Sequence, residues 1–409
     1  MRLAEQNVVF LVNFVAPNHL AVLRELASRV RRLTVLSSVA MEANRQWDSQ
    51  WDDLNVIVQR TRTITRTAKH PGGYQEPNYI HIPLDTASQL KQLSPDAVVS
   101  LEMGARSWLA QRYCRRQPEC VHVLSVYASQ RSEAGRGRLR QRVRRHLLRR
   151  ADWVTFNGPS CRRLLLSLGA DAQRMSPWDY AADPRKAYRG PVQSDVGRTG
   201  DASLQVLTVG QLSQRKGVDV ALRQLIRCCR DSGGRSVCWN LVGDGPLREQ
   251  IAGAELPGNL RIRLHGHCEP DQLSKHYAAN DLLLFPTLGD EWGLVVDEAL
   301  ASALPVVGSR HSQAVETLIE NGENGWIYDP DEEHALAAVF NQVERVDESK
   351  WKQLRSSARQ SVAHRTPEAS ACQLGEAIQN ARRVVGLNNS IGSDSHQADG
   401  RFGPVSSEC

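Results

Sequence analysis

Aromatic residues make up only 6% of this chain, methionine occurs four times, and no apolar run is long. Each shortage excludes something. The early run from Val8 to Val15 is short, is interrupted by Asn13 and follows Glu5, so it is not expected to be a secretory leader. Nothing approaches the ~20 consecutive apolar residues of a membrane span. The nine cysteines (Cys114, Cys120, Cys161, Cys228, Cys229, Cys238, Cys268, Cys372 and Cys409) are odd in number and scattered, with no C-x-x-C pair. That pattern argues against a disulfide framework and a structural zinc site, and it leads to the expectation of a reducing, cytoplasmic compartment.

What is present suits an α/β protein. A chain of 409 residues with 41% apolar content fits two ordinary domains better than one very large core. The formal charge is +6 and the excess is uneven: nine arginines lie between Arg131 and Arg150, against the single acid Glu133. Such a run suits an anionic membrane, an anionic substrate or nucleic acid, or is simply the wet face of a helix.

Short apolar runs alternate with helical periodicity. Val8 to Val12 reads as a buried parallel strand, Leu20 to Val30 as a helix and Leu33 to Leu36 as the next strand. Ala97 to Leu101, Val121 to Val126 and Asp152 to Phe156 continue the pattern, with helices over Arg138 to Ala151 and from Ser160, a candidate cap. Residues 41–90 show no clean period, apart from a turn at Pro71-Gly72-Gly73. From Gly190 to Ser203 the chain is polar and glycine-rich, and a fresh α/β pattern begins at Leu204. The expected organisation is a first domain over 1–190, a linker over 191–203, a second domain over 204–387 whose last helix packs back on the first, and a disordered tail over 388–409.

In an open parallel sheet, ligands bind where loops leave the carboxyl ends of strands. Three such loops carry chemistry in the second domain. Gly210 ends a strand, and Arg215 and Lys216 precede a helix, where cations and free N–H groups suit a diphosphate. The residues are not a GxxxxGK[ST] loop. Gly243-Asp244-Gly245-Pro246 is a tight turn, either purely structural or one in which a side chain at Gly243 would collide with a nucleotide. Asp290-Glu291-Trp292-Gly293-Leu294-Val295-Val296-Asp297-Glu298 places two acids eight residues apart. On a continuous helix they would differ by about 80°. With Asp290 on a loop and a helix starting near Gly293, both reach one cleft, where carboxylates accept paired hydrogen bonds from sugar or ribose hydroxyls.

Taken together, Val209 to Leu212 with Lys216-Gly217, Leu241 to Pro246, Gly266, Tyr277 to Phe285, Asp290 to Val307, Glu316 to Ile319 and Asn321 to Trp326 strongly resemble the donor-binding half of the retaining, family-four (group 1) glycosyltransferases of GT-B fold. The resemblance implies two Rossmann-like domains with mostly parallel sheets facing across an interdomain cleft. It implies that Lys216 holds the donor diphosphate and Glu298 the ribose hydroxyls. Asp290 falls on the first acid of the family's E-x7-E motif and would contact the transferred sugar, while Trp292, Gly293, Leu294 and Val295 would line the sugar and phosphate pocket. Gly210, Gln211, Arg215 and Gly243 complete the donor set. Two departures stand out: Asp290 is one methylene shorter than the usual Glu, with Glu291 beside it, and Gln211 stands where a phosphate-binding Arg is common. The likeness is looser in the first domain, where the Pro17-Asn18-His19 loop makes His19 an acceptor-side catalytic candidate. Glu102 and Arg106 follow a strand end, and His122 reads as a core histidine.

The activity implied is a retaining, metal-independent hexosyltransferase that moves a sugar from a nucleotide-diphosphate-sugar to a hydroxyl of a glycan or lipid-linked acceptor, as in polysaccharide biosynthesis. No cofactor and no nucleic acid are expected, and the arginine run adds an anionic membrane surface as a peripheral partner at the inner face of the membrane. The alternatives are another GT-B nucleotide-sugar enzyme, an epimerase or a sugar phosphorylase, and a non-enzymatic basic binding protein.

Overall fold

The structure is a computed structural model that describes residues 1–42, 51, 53–69, 73–134, 137–182, 185–191, 203–231 and 236–393. The first domain contains β1 (Asn7–Val12), β2 (Arg32–Ser37), β3 (Val56–Val58), β4 (Thr61–Lys69), β5 (Gln75–Pro83), β6 (Ala97–Leu101), β7 (Val121–Val126), β8 (Trp153–Phe156) and β9 (Met175–Pro177). Among the described residues these form a seven-stranded parallel sheet in the order β3-β2-β1-β6-β7-β8-β9, plus the antiparallel pair β4-β5. The second domain holds β10 (Leu204–Val209), β11 (Val237–Val242), β12 (Leu260–Gly266), β13 (Leu282–Phe285), β14 (Val306–Ser309) and β15 (Gly325–Tyr328), all parallel, in the order β12-β11-β10-β13-β14-β15.

Continuous apolar runs form these strands because both sheet faces are covered. In β13, Leu282 and Leu284 enter one core with Val206 and Leu241, while Leu283 and Phe285 enter the other with Val296 and Leu300. Each such side chain contributes about 1.5–3 kcal/mol by leaving water. The last helix, Pro367–Ser393, repeats Ala371, Leu374, Ala377, Ile378 and Ala381 on one face. That face packs into the first domain's core against Val22, Leu23 and Leu26 of the helix Pro17–Arg29. The chain thus crosses back over, and Arg365, just ahead of the crossing, pairs with Asp179 at 3.1 Å and Asp297 at 3.0 Å.

Three expectations differ from the structure. Residues 61–69 and 75–83 form an antiparallel pair that the sequence did not reveal, because the Thr/Arg alternation of its first strand exposes polar side chains on both faces, and the turn read at Pro71-Gly72-Gly73 lies mostly outside the described residues. Ser160 does not cap its helix: Gly158 does, Pro159 opens the helix, and the Ser160 hydroxyl accepts from the Gln130 N–H at 3.1 Å. The last helix runs on to Ser393, past the expected start of the tail, and residues 394–409 lie outside the described residues. Most of the 191–203 linker also lies outside them.

Candidate active site

Strand order reverses between β10 and β13, since β11 and β14 flank them on opposite sides. This is the topological switch point where an open α/β sheet leaves a crevice. The loop after β10 carries Gly210, Gln211, Arg215 and Lys216, and the loop after β13 carries Asp290. The two loops are tied together: the Leu288 N–H donates to the Arg215 carbonyl at 2.8 Å, and the Thr287 hydroxyl donates to the same oxygen at 3.1 Å. Lys216 Nζ forms an ion pair with Asp290 Oδ2 and lies 5.5 Å from the Phe285 ring centre. Arg215 Nη1 is 3.3 Å from the other Asp290 oxygen. Two cations therefore share one carboxylate, while Gln211 is exposed at the mouth.

Gly243 follows β11 with φ +134°, and a Cβ there would stand 2.0 Å from the Gly210 carbonyl oxygen. The clearance expected for a nucleotide is thus, first of all, clearance for the neighbouring loop. Gly293 (φ +116°, ψ 68°) caps the helix Leu294–Ala301, which leaves Asp290 on the loop and Glu298 on the helix. Leu294 and Val295, half-buried, open that helix, where the first-turn N–H groups lack intrahelical partners.

Glu298 is buried and held at both oxygens. The Tyr277 hydroxyl donates to Oε2 at 2.7 Å, and Lys186 Nζ lies 3.3 Å from Oε1. Burial and the Glu298 charge push the Tyr277 phenol well above its ordinary range, which keeps it a donor. The reading of Trp292 as pocket lining changes. It is 3% exposed, its indole N–H donates to Asp297 at 2.6 Å, the Arg365 guanidinium lies 4.8 Å from its ring centre, and Tyr180 stacks on it. Trp292 is a strut that sets the helix start. Burial pushes Asp297 up to about 6 despite Arg365 and the indole N–H.

On the facing side, a cleft of ≈480 Å³ lies at the ends of β1, β6 and β7, lined among others by Asn13, Glu102, Arg106, Tyr127, Arg144 and Glu291. Glu102 has φ +67°, a strained conformation for a non-glycine residue, of the kind that concentrates at functional sites. His19 is not among the residues lining this cleft. Its ring stacks on Tyr127 at 5.7 Å and Trp178 at 6.1 Å, and both ring nitrogens are buried with no partner among the described residues. Burial lowers its pKa to about 4, so the ring is held neutral. His122 is a core histidine with a pKa lowered by burial to about 3, and its Nε2 lies 2.8 Å from the Ser100 hydroxyl.

Sequence reasoning missed the residues that join the domains. Buried Gln313 accepts from the Cys161 N–H at 2.8 Å and donates to the carbonyls of Ala128 at 2.8 Å and Glu291 at 2.7 Å. Asn157 donates to the Glu291 carbonyl at 2.8 Å, and Arg131 to the Leu288 carbonyl at 3.1 Å. A lone Gln at a helix start carries no periodic signal. Lys186 was equally silent, although Tyr277 fell inside the matched stretch.

Residues 203–344 match the family model described as Glycosyl transferases group 1. That match lies within the second domain and covers about a third of the chain. The chain is 33% identical over 186 residues to the amylovoran biosynthesis glycosyltransferase AmsK of Erwinia amylovora, covering 43% of each protein. It is 26% identical over 257 residues to a GDP-mannose-dependent alpha-mannosyltransferase of Corynebacterium glutamicum, covering 59% of this chain and 57% of that one. The chain thus matches about half the length of these curated relatives. The structure of Anabaena HepE in complex with UDP superposes with a TM-score of 0.68 at 18% identity, over 91% of this chain and 99% of that one. The fold is GT-B.

Proposed function

We propose that this protein is a retaining glycosyltransferase that moves a hexose from a nucleotide-diphosphate-sugar to a hydroxyl of a glycan or lipid-linked acceptor. The observation that carries this reading is the pairing of Lys216 and Arg215 with Asp290 at the switch point, next to a helix that carries the buried acceptor Glu298. Glu298, oriented by Tyr277, takes the ribose hydroxyls. Lys216, Arg215 and the first-turn N–H groups of Leu294 and Val295 take the diphosphate, where negative charge grows as the bond from the anomeric carbon to the phosphate oxygen breaks. Asp290, released from those two cations, accepts from hydroxyls of the sugar. The acceptor oxygen then bonds the anomeric carbon on the face that the diphosphate leaves, and its proton passes to the departing phosphate oxygen. Side chains and N–H groups supply the positive charge, so transfer in this reading needs no metal. The role of AmsK in amylovoran biosynthesis supports a polysaccharide acceptor.

The acceptor reaches the site from a membrane surface. The helices Ala105–Cys114 and Arg138–Leu148 present Trp108, Leu139 and Val143, which are 45%, 75% and 46% exposed, among Arg112, Arg138, Arg142 and Arg145. Arginines attracted to anionic headgroups, together with insertable apolar side chains, suit peripheral contact at the cytoplasmic face. The test is the product: with donor and acceptor, NMR should show a new glycoside of the donor's anomeric configuration. An inverted product, an epimerised donor without acceptor, or turnover that requires free phosphate would each replace this reading.

A further inference from the structure

Behind the donor loop, a crevice of ≈800 Å³ runs between the domains, with His311 and the pair Asp329 and Asp331 on one wall. These side chains come from different strand ends: His311 follows β14, and the two aspartates follow β15 in an Asp-x-Asp arrangement. Their nearest ligand atoms all lie within 4.8 Å of one another. His311 Nε2 is 3.0 Å from Asp331 Oδ2 and 3.5 Å from Asp329 Oδ1. Three lone-pair donors thus converge on a point now served by protons and by two guanidinium groups, Arg310 at 3.1 Å from Asp329 and Arg131 at 3.4 Å from Asp331. The Tyr328 hydroxyl, on a residue lining the same crevice, is buried with no partner among the described residues.

We infer that His311, Asp329 and Asp331 form a site for one divalent transition-metal ion, peripheral to the chemistry and competing with Arg131. One imidazole and two carboxylates favour Mn²⁺, Co²⁺ or Zn²⁺ over Mg²⁺ or Ca²⁺, which seek all-oxygen shells. On binding, any Nε2 proton leaves to solvent, and the cation takes the carboxylate that Arg131 now holds. Arg131 belongs to the first domain and also donates to the Leu288 carbonyl, in the loop that leads to Asp290. The His311 carbonyl accepts from the Asp290 N–H at 3.2 Å. Metal occupancy is therefore coupled to the contact between the domains. Because the Arg131–Asp331 pair is partly exposed, the coupling amounts to no more than about fivefold in the closure equilibrium.

The experiment is a Mn²⁺ titration of the full chain, with free Mn²⁺ followed by electron paramagnetic resonance. Mn²⁺ is chosen because the chain's thiols compete for it poorly. Wild type should bind one equivalent saturably. His311→Gln and Asp331→Asn should lose it while keeping the native melting profile, and Arg131→Gln should tighten it severalfold by removing the competing cation. The site is overturned if wild type shows no saturable binding, if either ligand variant binds as wild type does, or if Arg131→Gln leaves the affinity unchanged. None of these readouts depends on sugar transfer, so their failure is distinct from failure of the glycosyltransferase reading.

Discussion

Replacing Gln313 with alanine tests how the two domains are held for catalysis. Gln313 lies on the second domain, and two of its amide bonds, from the Cys161 N–H and to the Ala128 carbonyl, cross to the first. Alanine leaves both main-chain groups without their partner at a buried position. At about 1 kcal/mol for each bond lost, with part of the desolvation penalty added, the closed arrangement loses roughly 2–3 kcal/mol. That is about 30- to 150-fold in the closure equilibrium. The residues assigned to the nucleotide, Lys216 and Glu298, do not touch Gln313, so nucleotide affinity should change little. The assay is kcat/KM for transfer alongside calorimetric nucleotide Kd, with small-angle scattering reporting the radius of gyration. The account predicts a large fall in kcat/KM, a wider molecule and a near-constant Kd. Unchanged turnover and radius would refute the reasoning, as would a Kd that weakens in step with kcat/KM.

Further outcomes follow from the same geometry. Gly243→Ala would put a Cβ 2.0 Å from the Gly210 carbonyl at a positive φ, which should cost about 3 kcal/mol or more in denaturant unfolding and weaken nucleotide binding; an unchanged midpoint would refute it. Lys216→Met should lower kcat/KM about 10²–10³-fold by removing charge from the leaving diphosphate, and a drop below tenfold would move that role elsewhere. His19 and His122 have folded-state pKa values lowered to about 4 and about 3, so the unfolded chain binds more protons below its ordinary value near 6.5. Stability is therefore full above that value and falls as pH drops toward 4 and 3, by roughly 3–5 kcal/mol per histidine. Urea unfolding from pH 7 to 4 measures this, and a flat profile would contradict the buried neutral state.

Much of the second domain was legible because its signals are local. Short apolar runs such as Leu282 to Phe285, ended by Pro286, mark buried parallel strands, and the loops that follow them carry residues of fixed type at fixed spacing. Gly293 foretold a helix start because a left-handed cap favours glycine. The strand pair at 61–69 and 75–83 was not legible, since its first strand is largely exposed on both faces and no apolar period results. Lys186, Gln313 and the cluster of His311 with Asp329 and Asp331 were hidden for a different reason: each meets its partners across long stretches of chain. Trp292 and His19 were placed in the site by the resemblance, which does not reveal the partners that pack against them. Arg365 and Tyr180 pack against the first, and Tyr127 and Trp178 against the second.

In the proposed function, Glu298 and Lys216 mark a nucleotide-sugar site. The most direct test is calorimetry with a panel of nucleotide-diphosphate-sugars on wild type and Glu298→Gln. Glu298 accepts charge-assisted bonds worth about 1.5–3 kcal/mol, so one donor should bind wild type and bind the variant roughly 10- to 150-fold more weakly, with the fold intact. Equal binding by both proteins, or binding of none of the donors to wild type, would contradict the account.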